Sequence, residues 1–187
     1  RDESLLHAVQ LSIYGIGLLD TSDVVLCDIR DRDSLQRVFE LHKPDVVFHA
    51  AALKHLPMLE QYPEVGWKTN VLGTRNVLRC AHESGVARFV NVSTDKAADA
   101  SNVLGRTKRV AERMTSWYAE RFGLTYLSVR FGNVLGSRGS VLHVFRTQIA
   151  KDLPITVTHP DVTRYFMTIP EACQLCCTRG PSASVAT

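Results

Sequence analysis

Short β-branched apolar runs alternate with longer amphipathic segments over the first 130 residues, and this alternation constrains the fold more than any single residue does. DVVLCD at 23–28 predicts a strand, DRDSLQRVFELH a helix, and DVVFHAAA at 45–52 a second strand. The pattern continues with a helix through about 64–84, the strand RFVNVS at 88–93, a helix over about 101–122 and the strand LTYLSVRF at 124–131. Near-continuous apolar strands joined by helices of this length predict an α/β fold. Its parallel sheet is doubly wound, with helices on both faces and chemistry at the carboxyl ends of the strands. After Phe131 the pattern gives way to the Gly- and Ser-rich GNVLGSRGS, a helix near 141–151 and short irregular pieces. The expected division is therefore a sheet domain over 1–130 and a small C-terminal lobe over 131–187, with the cleft along their seam.

Composition removes several function classes. With 187 residues, 45% hydrophobic and 22% charged, the chain can bury a core, which argues against disorder. The net charge is +3, but Lys and Arg are scattered, so no nucleic-acid partner is expected. Cys27 and Cys80 stand alone in apolar segments, as in a reducing compartment, and the expected location is the cytoplasm. Cys173, Cys176 and Cys177 cluster, but the residues after them offer no fourth ligand, so helix packing is expected and no metal. No apolar run reaches about 18 residues and the start is unlike a signal peptide, so no membrane segment is expected. Both ends look cut: the chain opens inside a helical pattern and closes on a small-residue tail.

A doubly wound cofactor domain ordinarily begins with a strand and a Gly-rich turn, whose backbone N–H groups approach a dinucleotide pyrophosphate. The Gly15–Gly17 pair has Asp20 where a third glycine belongs and follows a helical pattern, so it reads as an ordinary helix C-terminus. The rest of the sequence favours loss of the first βα unit.

DIRD at 28–31, FHAAALKHLP at 48–57, TNVLGT at 69–74, STDKA at 93–97, VLGRTK at 103–108, RFGNVLGSRGSV at 130–141 and THPDVTRYFMTIPEA at 158–172 carry a specific joint signal. In order and spacing they resemble the extended short-chain dehydrogenase/reductases. Within these the resemblance is to the polysaccharide-biosynthesis branch of nucleotide-sugar 4,6-dehydratases and epimerases. It implies a Rossmann-type domain, here without its first βα unit, an NAD(P) cofactor with NAD favoured, and a nucleotide-sugar substrate.

The residues can be read beside it. Asp28, with Ile29 next to it, ends an apolar run where a carboxylate can meet adenine or ribose, or cap the following helix. Ala50, Ala51 and Ala52 are small enough for a cofactor to lie against the backbone, or for simple close packing. Asn70 precedes a helix and either bridges backbone groups, orders active-site water or serves as an N-cap. Lys54 is a substrate contact by resemblance or a solvated loop lysine. His49 and His55 flank the same turn and read as structural.

Ser93, Thr94, Asp95 and Lys96 place hydroxyls, a carboxylate and an amine together at one strand's carboxyl end. The resemblance implies that Lys108 holds the nicotinamide ribose, that Thr94 bonds the sugar O4, that Lys96 removes the C5 proton and that Asp95 is the acid for the C6 hydroxyl. The first of these bases needs a pKa lowered by burial and by Lys108, and the acid a raised one. Family members generally have Tyr four residues before the helix Lys; here the position is Leu104, so the C4 base falls to Asp95, Lys96 or a water.

On the substrate side the resemblance gives Asn133 and Arg164 to the nucleotide diphosphate, with Arg138 and Thr158 as weaker candidates. The leading expectation is a 4,6-dehydratase acting on UDP-N-acetylglucosamine. A C4 or C5 epimerase is the alternative enzyme, and an incomplete or non-catalytic domain is the alternative of another class, motivated by Leu104 and the missing Gly-rich turn. Helices 64–84 and 101–122 resemble a dimerising pair, so a homo-oligomer is expected through them, with Trp67, Trp117 and Tyr118 as contacts or as core.

Overall fold

In the computed structural model, residues 2–17, 21–137, 141–157 and 159–179 are described. The centre is a parallel sheet of β1 (Val46–His49), β2 (Arg88–Thr94) and β3 (Thr125–Phe131), in the order β1-β2-β3. The register pairs Val47 with Phe89 and Phe89 with Tyr126. Alternation along β2 sends Phe89 to one face and Val90 to the other, so each face needs its own cover.

On the first face α2 (Arg32–His42) and α5 (Thr74–Glu83) bury Leu35, Phe39, Val77, Leu78 and Ala81 against Phe89 and Tyr126. On the second face Val90 and Val129 meet Cys176 and Leu175 of α8 (Ile169–Arg179). The sheet is therefore doubly wound, as the alternation predicts. Cys176 packs there as a small hydrophobe, and no group of three His, Cys, Asp or Glu among the described residues is arranged to hold a metal.

The helices carry their own stop signals. Asp2 caps α1 (Glu3–Tyr14) and Asp31 caps α2, while Asn102 caps α6 (Val103–Phe122) by accepting from the Gly105 amide at 2.8 Å. Gly15 ends α1 at φ 73° and Gly123 ends α6 at φ 64°, a region open to glycine at little cost, so Gly15 is the helix terminus that the sequence suggests. None of the described helices is long and apolar enough to cross a membrane.

Three expectations need correction. The strand at 23–28 does not form: residues 24–28 run without ladder partners, because a strand needs a neighbour and none of the described residues pairs with them. The predicted strand 45–52 ends at His49, and the LKHLP stretch at 53–57 runs into the first of two short helices, α3 (Leu56–Gln61) and α4 (Pro63–Gly66), where Pro57 and Pro63 sit at helix starts. The predicted helix 64–84 is interrupted by a π-helical turn at Trp67–Gly73, and Asn70 lies inside that turn rather than ahead of a helix. Beyond β3 come β4 (Asn133–Val134), α7 (Val141–Ala150) and β5 (Phe166–Met167), with β4 and β5 paired in parallel.

Candidate active site

The apolar run of β2 ends in Thr94, and a single 3-10 turn, Asp95–Ala97, follows it. Thr94 Oγ1 donates to Asp95 Oδ1 at 2.9 Å, and the Lys96 backbone amide donates to the same carboxylate oxygen at 2.8 Å. Lys96 Nζ lies 2.9 Å from Asp95 Oδ1 and 3.5 Å from Asn133 Oδ1. The strand end thus folds its hydroxyl, carboxylate and amine into one cluster. Burial pushes the Asp95 carboxyl up, but bonds from Lys96 and Thr94 and the Lys96 charge outweigh it and hold the group below the usual carboxylate range. This corrects the sequence expectation of a raised value: Asp95 rests as a carboxylate, since three donors converge on it.

Lys108 comes from α6, which crosses back over the sheet. Its Nζ donates to the Val92 carbonyl at 2.6 Å, and burial lowers its pKa to about 8, with the nearby Glu112 opposing. Glu112, one turn on, is gripped by Arg130 of β3 at 2.9 and 2.7 Å. Leu104, the residue in the tyrosine position, lines the cleft one turn before Lys108 and brings no proton-transfer group there.

Thr94, Lys96, Leu104 and Lys108 open on a cavity of about 470 Å³, whose wall does not include Asp95; that carboxylate stands behind it, bonded to Thr94 and Lys96. Ala50, Ala52, Lys54, Thr94, Lys96, Lys108, Asn133 and Arg164 all line it, so eight of the residues singled out from sequence meet at one place. Asn133 and Arg164 reach it from β4 and from the segment before β5. Arg138 and Thr158 fall outside the described residues.

The remaining candidates lie elsewhere. Ala51 is exposed and is not part of the cavity wall. Asp28 lines a second hollow with Arg30, Lys68 and Arg75. Its carboxylate is clamped by Arg30 at 2.7 to 3.2 Å, and Asp31, not Asp28, caps α2. Ile29 turns inward against the core, where a side chain on Gly73 would collide with it. Asn70 has its amide fully engaged: Oδ1 accepts from Leu53 N at 2.8 Å, while Nδ2 donates to Leu53 O at 3.0 Å and Thr107 Oγ1 at 3.2 Å. It bridges backbone groups, one of the readings open from sequence, and is no N-cap.

One group went unmentioned in the sequence reading, and another was read only as structural. Glu112 was signalled only by its spacing four residues after Lys108. His49, read as structural from its place at a strand end, is buried beside Lys108. Burial and the Lys108 charge push its pKa down to about 3, so it is neutral.

The residues present fit a dinucleotide in part. Small Ala50 and Ala52 and the Lys108 ammonium suit a nicotinamide riboside, whereas no strand among the described residues leads into a G-x-G-x-x-G turn for the pyrophosphate.

Comparison with known proteins follows the same lines. The family described as polysaccharide biosynthesis protein matches residues 3–185. The probable polysaccharide biosynthesis protein EpsC of Bacillus subtilis is 44% identical over 97% of the chain and 30% of its own length. The capsular polysaccharide biosynthesis protein CapD of Staphylococcus aureus is 48% identical over 85% of the chain and 27% of its own. A UDP-glucose 4-epimerase of Rickettsia felis is 41% identical over 79% of the chain and 44% of its own. Among solved structures, Pen from Bacillus thuringiensis superposes with a TM-score of 0.86 at 33% identity, covering 98% of the chain and 56% of Pen. The dTDP-glucose 4,6-dehydratase DesIV of Streptomyces venezuelae, solved with NAD and DAU bound, gives 0.72 at 26% identity over 81% of the chain and 53% of DesIV. The chain thus spans less than a third of the length of EpsC and CapD.

Proposed function

This chain belongs to the polysaccharide biosynthesis protein family of extended short-chain dehydrogenase/reductases, and from that premise we propose that it is the core of an NAD-dependent nucleotide-sugar 4,6-dehydratase. UDP-N-acetylglucosamine is the proposed substrate and surface-polysaccharide synthesis the setting. The observation that carries the reading is that Thr94 and Lys96, both bonded to Asp95 at the end of β2, line the same cavity as Lys108. An elimination needs an acid and a base beyond what an oxidation needs, and this cluster supplies both.

NAD⁺, held by Ala50, Ala52 and Lys108, would supply the hydride acceptor that makes C4 a ketone and so acidifies the C5 proton, and would give the same hydride back at C6 after water has left, so that it is unchanged overall. Thr94 bonds O4. Asp95 begins ionised and takes the O4 proton, filling the place that Leu104 leaves empty. Having gained that proton, it returns it to the departing C6 hydroxyl, which leaves as water. Lys96 is the base that takes the proton from C5 and later gives it back there. Asn133 and Arg164 grip the diphosphate, Lys54 makes a further contact from the opposite wall, and Asp28 and Ile29 flank the adenosine end of the cofactor.

The alternative is a C4 epimerase, favoured by the 41% identity to the Rickettsia epimerase; it would use the same oxidation without elimination. Incubating the intact protein with NAD⁺ and UDP-N-acetylglucosamine separates the two. A product lighter by one water supports the dehydratase, and an isomer of unchanged mass sinks it. Self-association through helices 64–84 and 101–122 is part of the proposal, because Trp67 and Trp117 on them are 47% and 54% exposed rather than core.

A further inference from the structure

His49 is a buried imidazole that the proposed chemistry does not use, and it stands at one end of a series of hydrogen bonds that passes through the backbone and the side chain of Asn70. Its Nε2 lies 2.9 Å from Thr74 Oγ1. Thr74 Oγ1 is 2.7 Å from the Asn70 carbonyl, and a carbonyl only accepts, so the single hydroxyl proton of Thr74 points there. The Thr74 oxygen must then accept from His49, which fixes the proton on Nε2. The same logic fixes the next links. Leu53 presents both a donor and an acceptor to the Asn70 side chain, so that amide has one orientation. Its Nδ2 also donates to Thr107 Oγ1, which passes its own proton to the Leu104 carbonyl at 3.0 Å.

The chain therefore runs from β1, through the π-helical turn, to two walls of the cavity. One wall is the loop after β1, which contributes Ala50, Ala52 and Lys54; the other is α6, which contributes Leu104 and Lys108. A π-turn inserts an extra residue into the helix and recurs at functional sites. Here it brings both the carbonyl and the amide of Asn70 into the chain. His49, Thr74 and Asn70 are all buried, so each link broken leaves a polar group unpaired away from water.

We propose that His49 is a positioning residue, which through Thr74 and Asn70 holds the loop of residues 50–55 at a fixed distance from α6. The inference rests on reading the cavity as the active site. It requires a donor where Nε2 lies and nothing at Nδ1.

Three substitutions in the intact protein test this. His49→Gln puts an amide nitrogen where Nε2 lies, His49→Asn puts one where Nδ1 lies, and His49→Leu removes both. The expected result is that H49Q keeps the slow hydrogen exchange of the Leu53 amide together with wild-type kcat and KM. H49N and H49L should exchange Leu53 at least about tenfold faster and lose roughly ten- to a hundredfold in kcat/KM, as a displaced wall implies. Rescue by Asn and not by Gln, or unchanged Leu53 exchange in H49L, would overturn the proposal. Should H49L not fold, Thr74→Ser and Thr74→Ala make the same comparison, since serine keeps the relay oxygen and alanine deletes it; equal Leu53 exchange in the two overturns it likewise. If the wild type turns over no nucleotide sugar, the proposed function fails while the Leu53 exchange still decides the role of His49.

Discussion

Lys108 is where activity and stability oppose each other most directly. Burial lowers its pKa from the ordinary 10.5 to about 8. Between those values the unfolded chain holds a proton that the folded one has lost, so the stability contributed by this group rises with pH across that window. Below it the contribution is at its lowest and constant. A shift of that size corresponds to about 3 kcal/mol, and the bond to Val92 O returns about 1 kcal/mol. Lys108→Met should therefore abolish turnover yet raise stability at pH 7 by about 2 kcal/mol, read from urea unfolding; a destabilised variant would contradict this. Glu112 raises the Lys108 pKa, so Glu112→Gln should lower it. If catalysis needs the ammonium, the alkaline limb of the kcat–pH profile moves toward lower pH, and an unmoved limb would show that the two groups are uncoupled. The identity of Lys108 was legible in VLGRTK, but its burial was not, because that depends on α6 lying against the Val92 carbonyl.

At the scale of elements, α6 and the turn after β2 are held together by a missing side chain. Gly105 sits in the first turn of α6, where alanine is ordinarily the better helix former by up to about 1 kcal/mol. A Cβ there would strike the backbone carbonyl of Lys96, which cannot swing away as a side-chain tip could. Gly105→Ala should thus reverse the usual sign, costing about 1–3 kcal/mol in thermal unfolding and depressing turnover by shifting Lys96. A stabilised, fully active G105A would show that the helix and turn separate freely. The same elements show what sequence could and could not reveal. Periodicity located α2, α5 and α6 because each has one face packed inward, and β2 and β3 because their residues are covered on both faces of the sheet. It missed α3 and the π-turn, which are set by prolines and by the clasp of Asn70 on Leu53. It also overestimated 23–28, where DVVLCD has strand composition but no described residue to pair with.

At the scale of the whole molecule, eight candidate residues converge on one cavity, whereas Asp28 stays at a separate hollow and Ile29 packs against the core beside it. A dinucleotide reaching from one to the other would need its pyrophosphate held between them. The described strands end in AALKHL, STDKA and GNVLG, none of which is the Gly-rich turn that aims a helix N-terminus at phosphate. The outer edge of β1 pairs with no described strand, and Phe48 on it is 50% exposed, so the sheet offers the cofactor one wall where a full cleft has two. Affinity for a dinucleotide comes from both halves and the phosphates between them, and losing the phosphate contacts forfeits charge-assisted bonds that are about twice as strong as neutral ones. Calorimetric titration of NAD⁺ into the 187-residue chain should accordingly give a dissociation constant weaker than micromolar, while the intact protein binds more tightly. Lys108→Met should weaken the intact protein's binding and leave the already weak titration of the chain little changed. A micromolar complex with the chain alone would mean that Ala50, Ala52, Lys108 and the Asp28 hollow hold the cofactor without a phosphate cradle.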